Sequence, residues 1–346
     1  MTDNDLILSV QDLTTEFSLQ RGLLRAVNHI SFDLKRGEVL GLVGESGCGK
    51  SIAIKSILRL VRKPGQSSGK VFFTPKSGDT VELIGMKPMG DQIRNIRGKY
   101  INMIFQEPMN ALSPVHTIAN QMIEAITLHY KVSKDEARSL SIDLLRKVGI
   151  PEAEKRIDAY SFQLSGGMRQ RALIAMAISC SPELLFADEP TTALDVSVQA
   201  QILKLLKNLI EESGMSMIFI THDLAVVAQM VDRVCVMYLG EIVEDAPVEE
   251  IFLNPRHPYT RKLMASILDP GDRRTEGLVN TIKGAVPEPI NLPDRCPFFD
   301  RCEERVDGVC RNIGTPELVD IGGGHKVRCF REFSVVELQE VMETRS

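Results

Sequence analysis

At 346 residues the chain is long enough to bury a full α/β core and to carry a smaller appended region. Charged residues make up 25% and apolar ones 43%, which excludes a disordered chain, and a net charge of -5 gives no general reason to expect a nucleic-acid partner. No apolar run approaches the roughly 20 residues needed to cross a bilayer, and Met1-Thr-Asp-Asn-Asp lacks the basic start of a secretory signal, so a cytosolic chain is expected. Seven cysteines, an odd number, argue against a framework of structural disulfides.

In chain order, residues 6–34 alternate apolar and polar side chains, which predicts an antiparallel β portion. Residues 39–43 read as a buried strand and 51–60 as the helix after it. Short strands are expected at 69–73 and 81–83. From about residue 94 to 182 the spacing becomes helical, with helices over 117–130 and 134–148 stopped by Gly149 and Pro151, so this stretch reads as a helical insertion. Apolar strands at 184–187 and 217–220, separated by a helix at 198–210, indicate a parallel sheet with crossover connections. Beyond Leu253 the pattern breaks into Pro-rich sequence. The expected division is 1–254, a Cys-containing region 255–335, and a short polar helix or frayed tail at 336–346.

The chemistry begins at Gly44-Glu45-Ser46-Gly47-Cys48-Gly49-Lys50-Ser51, which fits G-x-x-x-x-G-K-S between a strand and a helix. Such a turn converges backbone N–H groups at a helix N-terminus, where they favour an anion. Lys50 would reach the β- and γ-phosphates and the Ser51 hydroxyl would ligate Mg2+. The strand at 184–187 ends in Asp188 and Glu189; Asp188 suits Mg2+ and Glu189 suits a base for the attacking water. His222 follows another buried strand and can reach a γ-phosphate. Gln106 follows an apolar strand at 101–105, and its amide can reach Mg2+ or the water. Ser165-Gly166-Gly167 opens a second Gly-rich helix, which is either an anion site or an ordinary start capped by Ser165. Two such termini imply two nucleotides or one nucleotide shared between chains, and spacing alone leaves both open.

The ordered set Gly44 to Ser51, Gln106, Leu164 to Met168, Asp188-Glu189, Thr192 to Asp195 and His222 resembles the ATP-binding cassette (ABC) ATPase family, over residues 6–254. The resemblance implies an α/β P-loop NTPase of ABC type, with a RecA-like parallel-sheet core, an N-terminal antiparallel β portion and a helical subdomain. It implies ATP hydrolysis by two cassettes packed head to tail, so that one phosphate loop with its following Ile52 and the Ser165-Gly166-Gly167 of a second cassette enclose each ATP. Gln106, Asp188 and Ser51 would serve Mg2+; Asp195 and His222 would complete the nucleotide contacts. Phe17 falls where the family stacks an aromatic on adenine, more often Tyr. Met168 replaces the usual glutamine, and Thr192 stands where serine is commoner, which bears on the relative activity of the two sites.

Asn254-Pro255-Arg256-His257-Pro258-Tyr259-Thr260, with Cys296-Pro297-Phe298 and Arg301-Cys302, is similar to the region appended to ATPase subunits of dipeptide and oligopeptide importers. Cys296, Cys302, Cys310 and Cys329 form a C-x5-C-x7-C-x18-C set of soft thiols, suited by chemistry to Zn2+, to an iron–sulfur cluster, or to no ligand at all. The resemblance favours a [4Fe-4S] cluster, with Zn2+ as the alternative. It further implies peptide import, with nickel or oligosaccharides as alternative cargo and a soluble, non-transport ABC ATPase as the remote alternative. The implied partners are a second ABC ATPase subunit, commonly a different paralogue, two transmembrane permease subunits and, indirectly, a substrate-binding protein, with no nucleic acid. The implied location is peripheral, on the cytoplasmic face of the cell membrane.

Overall fold

The computed structural model describes residues 5–106, 111–192, 194–266, 282 and 284–333, so the expected tail helix lies outside the described residues. The chain divides into two compact units, each built from separate stretches: 1–9, 33–39 and 72–220 in the first, 10–32, 40–71 and 221–346 in the second.

The first unit is organised around parallel strands β6 (Ile101–Ile104), β7 (Leu184–Asp188) and β8 (Ser216–Ile220), with Ile101 opposite Leu184 and Leu184 opposite Ser216. Every residue of β7 and β8 is buried. This is why these strands read as continuous apolar runs, since parallel strands are covered on both faces. The helix Val196–Ser213 carries the chain from β7 to β8, burying Ile202, Leu206, Leu209 and Ile210 along one face. Gly214, at φ 61, ends it in the left-handed conformation that glycine adopts without a steric penalty. Helices Ile118–His129, Lys134–Lys147 and Gly166–Ile178 form the helical part. Thr117 and Ser133 cap the first two, and Ser133 with Glu136 makes a full capping box, so both boundaries fall within a residue of those expected.

In the second unit β3 (Val39–Val43) contributes Leu40 to Val43, parallel to β9 (Arg233–Tyr238). The antiparallel β10 (Glu241–Pro247), β12 (Lys326–Val327) and β11 (Val319–Asp320) follow in that order. The parts of β1 (Leu6–Leu19), β2 (Gly22–Lys35) and β4 (Gly65–Phe73) in this unit lie side by side in the order β2, β1, β4, the expected antiparallel β portion. The helix after β3 runs only over Lys50–Ile57. It stops early because Arg59 turns to φ 55, letting the Arg59 and Leu60 N–H groups bond back to the Ser56 and Lys55 carbonyls. That closure normally advertises itself as a glycine, and here there is none to read.

Tyr238, Tyr259 and Phe298 are each fully buried and pack ring against ring, with centroids 4.7 to 5.5 Å apart. They bring the Pro-rich sequence after residue 254 into the core of this unit. His257 starts the helix Pro258–Ala265, its Nδ1 accepting from the Tyr259 N–H at 3.1 Å, so the ring is neutral with its proton on Nε2. Burial, with help from Arg261 and Arg328 and against the pull of Glu244, lowers its pKa from 6.5 to about 4. The unfolded chain takes up this proton near pH 6.5 and the folded chain only near pH 4. The associated stability is therefore complete above 6.5 and lost as pH falls from 6.5 to 4. The gap is worth on the order of 3 kcal/mol. Denaturant titrations between pH 7 and pH 4 are expected to show this decline, and His257→Asn, whose side chain does not titrate, is expected to flatten that part of it.

Candidate nucleotide site

In the second unit the loop Gly44 to Gly49 links β3 to the helix Lys50–Ile57, with Gly44, Gly47 and Gly49 all at positive φ. A Cβ on Gly44 would stand 2.2 Å from the Met237 carbonyl oxygen, and one on Gly49 would stand 2.1 Å from that of Ala26. Both glycines are demanded by the protein's own backbone. Gly47 instead faces open space with Ser46 exposed beside it. The Lys50 side chain is buried and turns back across the loop, its Nζ donating to the Gly44 carbonyl at 2.8 Å and the Glu45 carbonyl at 3.0 Å. Cys48 is buried under the loop; burial raises its thiol pKa, opposed by the nearby Lys50 ammonium. Ser51 and Ile52 are half-buried in the first turn, where helix N–H groups lack intrahelical acceptors.

Glu45 is more constrained than its place in the motif foretold. Its N–H donates to the Tyr259 hydroxyl at 2.9 Å, and both of its carboxylate oxygens accept from the Arg301 guanidinium, at 2.7 and 2.9 Å. Neither Tyr259 nor Arg301 is identifiable from the sequence as a neighbour of this loop, since more than 200 residues separate them from Glu45. Phe17, in β1, is half-buried against Gly65, where a Cβ would come within 2.6 Å of the Phe17 ring. His222 is exposed, two residues past the end of β8.

In the first unit Asp188 ends β7 and is only 2% exposed. Glu189 follows in the left-handed region at φ 46, an uncommon conformation for a residue with a Cβ, and its N–H donates to the Ile220 carbonyl at 3.0 Å. Its Oε2 accepts from the Gln106 amide and from the Thr192 hydroxyl, both at 2.9 Å. The Gln106 amide, expected from the sequence to reach Mg2+ or a water, here donates directly to the Glu189 carboxylate. Thr192, singled out in the sequence only as a departure from serine, is the second residue that fixes Glu189. A hydroxyl three residues past a strand-end carboxylate is the local signal for that bond.

Ser165 caps the helix Gly166–Ile178, accepting from the Met168 N–H at 3.3 Å, and leaves Gly166 exposed in the first turn. A Cβ on Gly167 would lie 2.8 Å from Val198, so this glycine permits close approach of the helix Val196–Ser213. Asp195 caps that second helix through the Val198 N–H at 2.9 Å. The local chemistry of Ser165 and Asp195 is therefore helix capping, which keeps two helix starts fixed.

Cys296, Cys302, Cys310 and Cys329 line one small cavity together with Phe299 and Phe330. Burial raises the thiol pKa of Cys296 to about 12 and those of Cys302 and Cys329 to about 11, and the neighbouring cysteines push in the same direction. The sequence spread over 34 positions is thus gathered in space. Among the described residues, no group of three or more His, Cys, Asp or Glu side chains is arranged to hold a metal ion.

The ABC transporter family matches residues 27–192, and the oligopeptide/dipeptide transporter C-terminal region matches residues 243–310. The chain is 48% identical over 336 residues to the "Probable peptide ABC transporter ATP-binding protein y4tR" of Sinorhizobium fredii, covering 96% of this chain and 97% of that one. It is 44% identical over 324 residues to the oligopeptide transport ATP-binding protein AppD of Bacillus subtilis, covering 94% and 96%. Among solved structures, the dimeric ATP-binding cassette MJ0796 in a post-hydrolysis state bound to ADP and Pi aligns at 26% identity and a TM-score of 0.61, over 70% of this chain and 98% of that one. The glycine loop of the second unit and, separately, the strand-end Asp188-Glu189 pair of the first agree with these matches: the chain belongs to the ABC transporter ATPase family and carries the oligopeptide/dipeptide transporter C-terminal region.

Proposed function

We propose that the chain is the ATP-hydrolysing subunit of an importer for dipeptides or oligopeptides and drives transport through partner membrane subunits. The observation that carries hydrolysis is Glu189, a carboxylate held at a strand end by Gln106 and Thr192 in a fixed backbone conformation. Such a group is preorganised to orient an attacking water and accept its proton. The water oxygen then bonds to the γ-phosphorus, the bond to the β–γ bridging oxygen breaks, and ADP and phosphate leave. Lys50 and the loop from Gly44 to Ile52 grip the phosphates, His222 donates to the γ-phosphate, and Phe17 stacks on the base. Ser51, Asp188 and Gln106 would hold Mg2+, which offsets the charge of the phosphate oxygens.

Peptide cargo is supported by the match of residues 243–310 and by the names of AppD and of DppD, a dipeptide transport ATP-binding protein of B. subtilis 43% identical over 328 residues. No observation favours nickel or oligosaccharides over peptides. The dimeric form of the MJ0796 cassette supports a second ATPase subunit, whose counterpart of Ser165-Gly166-Gly167 would complete each nucleotide site on this reading. No described helix is long and apolar enough to cross a membrane, so the reading requires permease subunits to recruit the chain to the cytoplasmic face. The stacked and exposed Tyr160 and Phe162 offer such a partner an aromatic surface. The proposed division is an ATPase domain to residue 254, a Cys-rich module over 255–335 and a tail. The convergence of Cys296, Cys302, Cys310 and Cys329 on one cavity supports a [4Fe-4S] cluster there; the four thiols are not set as metal ligands as they stand, so binding would draw them together, keep them ionised and staple a module whose own apolar cluster is small.

Glu189→Gln is expected to keep ATP binding and to slow hydrolysis by on the order of 10²–10⁴-fold, as measured by phosphate release. Turnover at the wild-type rate would remove Glu189 as the base. Lys50→Ala is expected to abolish tight binding of a fluorescent ATP analogue, and unchanged affinity would count against the loop. Anaerobic purification should yield visible absorption and iron together with acid-labile sulfide; zinc in their place would overturn the cluster.

A further inference from the structure

Glu45 lies inside the phosphate loop, yet every polar group it carries is engaged by the protein. Its N–H is committed to the Tyr259 hydroxyl, its carboxylate is gripped at both oxygens by Arg301, and its carbonyl accepts from the Lys50 ammonium. The Arg301 side chain is 6% exposed, its guanidinium also reaching the Tyr238 hydroxyl at 3.5 Å and lying 5.7 Å from the Tyr238 ring centre. The side chains of Tyr238, Tyr259 and Phe298 pack together beneath it. A planar guanidinium with two parallel bonds fixes a carboxylate in direction as well as distance, which an ammonium cannot do. A carboxylate in this loop without its cation would also repel a triphosphate.

We propose that Arg301 and Tyr259, both beyond the ATPase core, are positioning residues of the phosphate loop: they fix the backbone at Glu45, and through the Gly44 and Glu45 carbonyls the direction of the Lys50 ammonium. The region appended to the cassette thereby acts on nucleotide affinity without touching the nucleotide. This assignment rests on the phosphate-loop reading, and Lys50→Ala separates the two. If Lys50→Ala binds ATP normally, the loop reading fails; if it loses binding while Arg301 and Tyr259 variants do not, only the positioning role fails.

The test is a double-substitution cycle on the full 346-residue chain, read by the dissociation constant of a fluorescent ATP analogue on that chain and by steady-state ATPase kinetics of the assembled transporter complex. Arg301→Met is expected to weaken nucleotide affinity and raise KM about 5- to 20-fold, with kcat changed less than about twofold. In a Glu45→Gln background the same substitution is expected to change affinity less than about twofold, because the pair is already broken. Tyr259→Phe, which deletes only the hydroxyl, is expected to weaken affinity about two- to fivefold. If Arg301→Met fails to fold, Arg301→Lys replaces it in the cycle, with a smaller loss of the same kind. An equal loss in both backgrounds, a loss confined to kcat, or unchanged affinity in the folded Arg301 variant and in Tyr259→Phe would each overturn the proposal.

Discussion

A loop that passes within a Cβ's width of two neighbouring carbonyls is held in place by the second unit's own backbone. Gly44 lies against Met237 and Gly49 against Ala26, so the loop's path is set by its walls before any ligand is considered. Any side chain at either position would have to displace main chain, which a packed interior resists. The Lys50 ammonium, turned over the same loop onto the Gly44 and Glu45 carbonyls, is directed by that path. On the proposed reading, phosphate recognition is a property of backbone packing first and of side-chain chemistry second.

The first unit applies a similar constraint to a carboxylate. Glu189 is fixed at three points: its N–H by Ile220, and one carboxylate oxygen by Gln106 and Thr192 together. Asp188, one residue earlier, stays in the buried end of the strand. Two adjacent acids therefore occupy different surroundings because the chain turns sharply between them, which suits one to a cation and the other to water.

Much of this was legible in the sequence because it is local. β7 and β8 announce themselves as apolar runs, Thr117 and Ser133 mark helix starts, and the loop with its Lys-Ser ending needs only a strand before it and a helix after it. What was hidden depends on distant contacts or on absent signals. The helix after the loop ends at Ile57 because Arg59 adopts a conformation that composition does not reveal. The hold of Tyr259 and Arg301 on Glu45 requires knowing that the Pro-rich sequence folds back under the loop, which no periodicity encodes. The four cysteines were legible as a set expected to converge, but Phe299 and Phe330 beside them in the same cavity were not.

The backbone of Glu189 carries a further implication. A left-handed conformation costs a residue with a Cβ about 1–2 kcal/mol, and glycine or asparagine would bear it more easily. Were folding robustness the sole criterion, this position would drift toward one of those two and lose its acid. If Glu189 is the proposed base, the chain tolerates a locally disfavoured bend to aim one oxygen, and a version with asparagine there would trade catalysis for a less strained backbone.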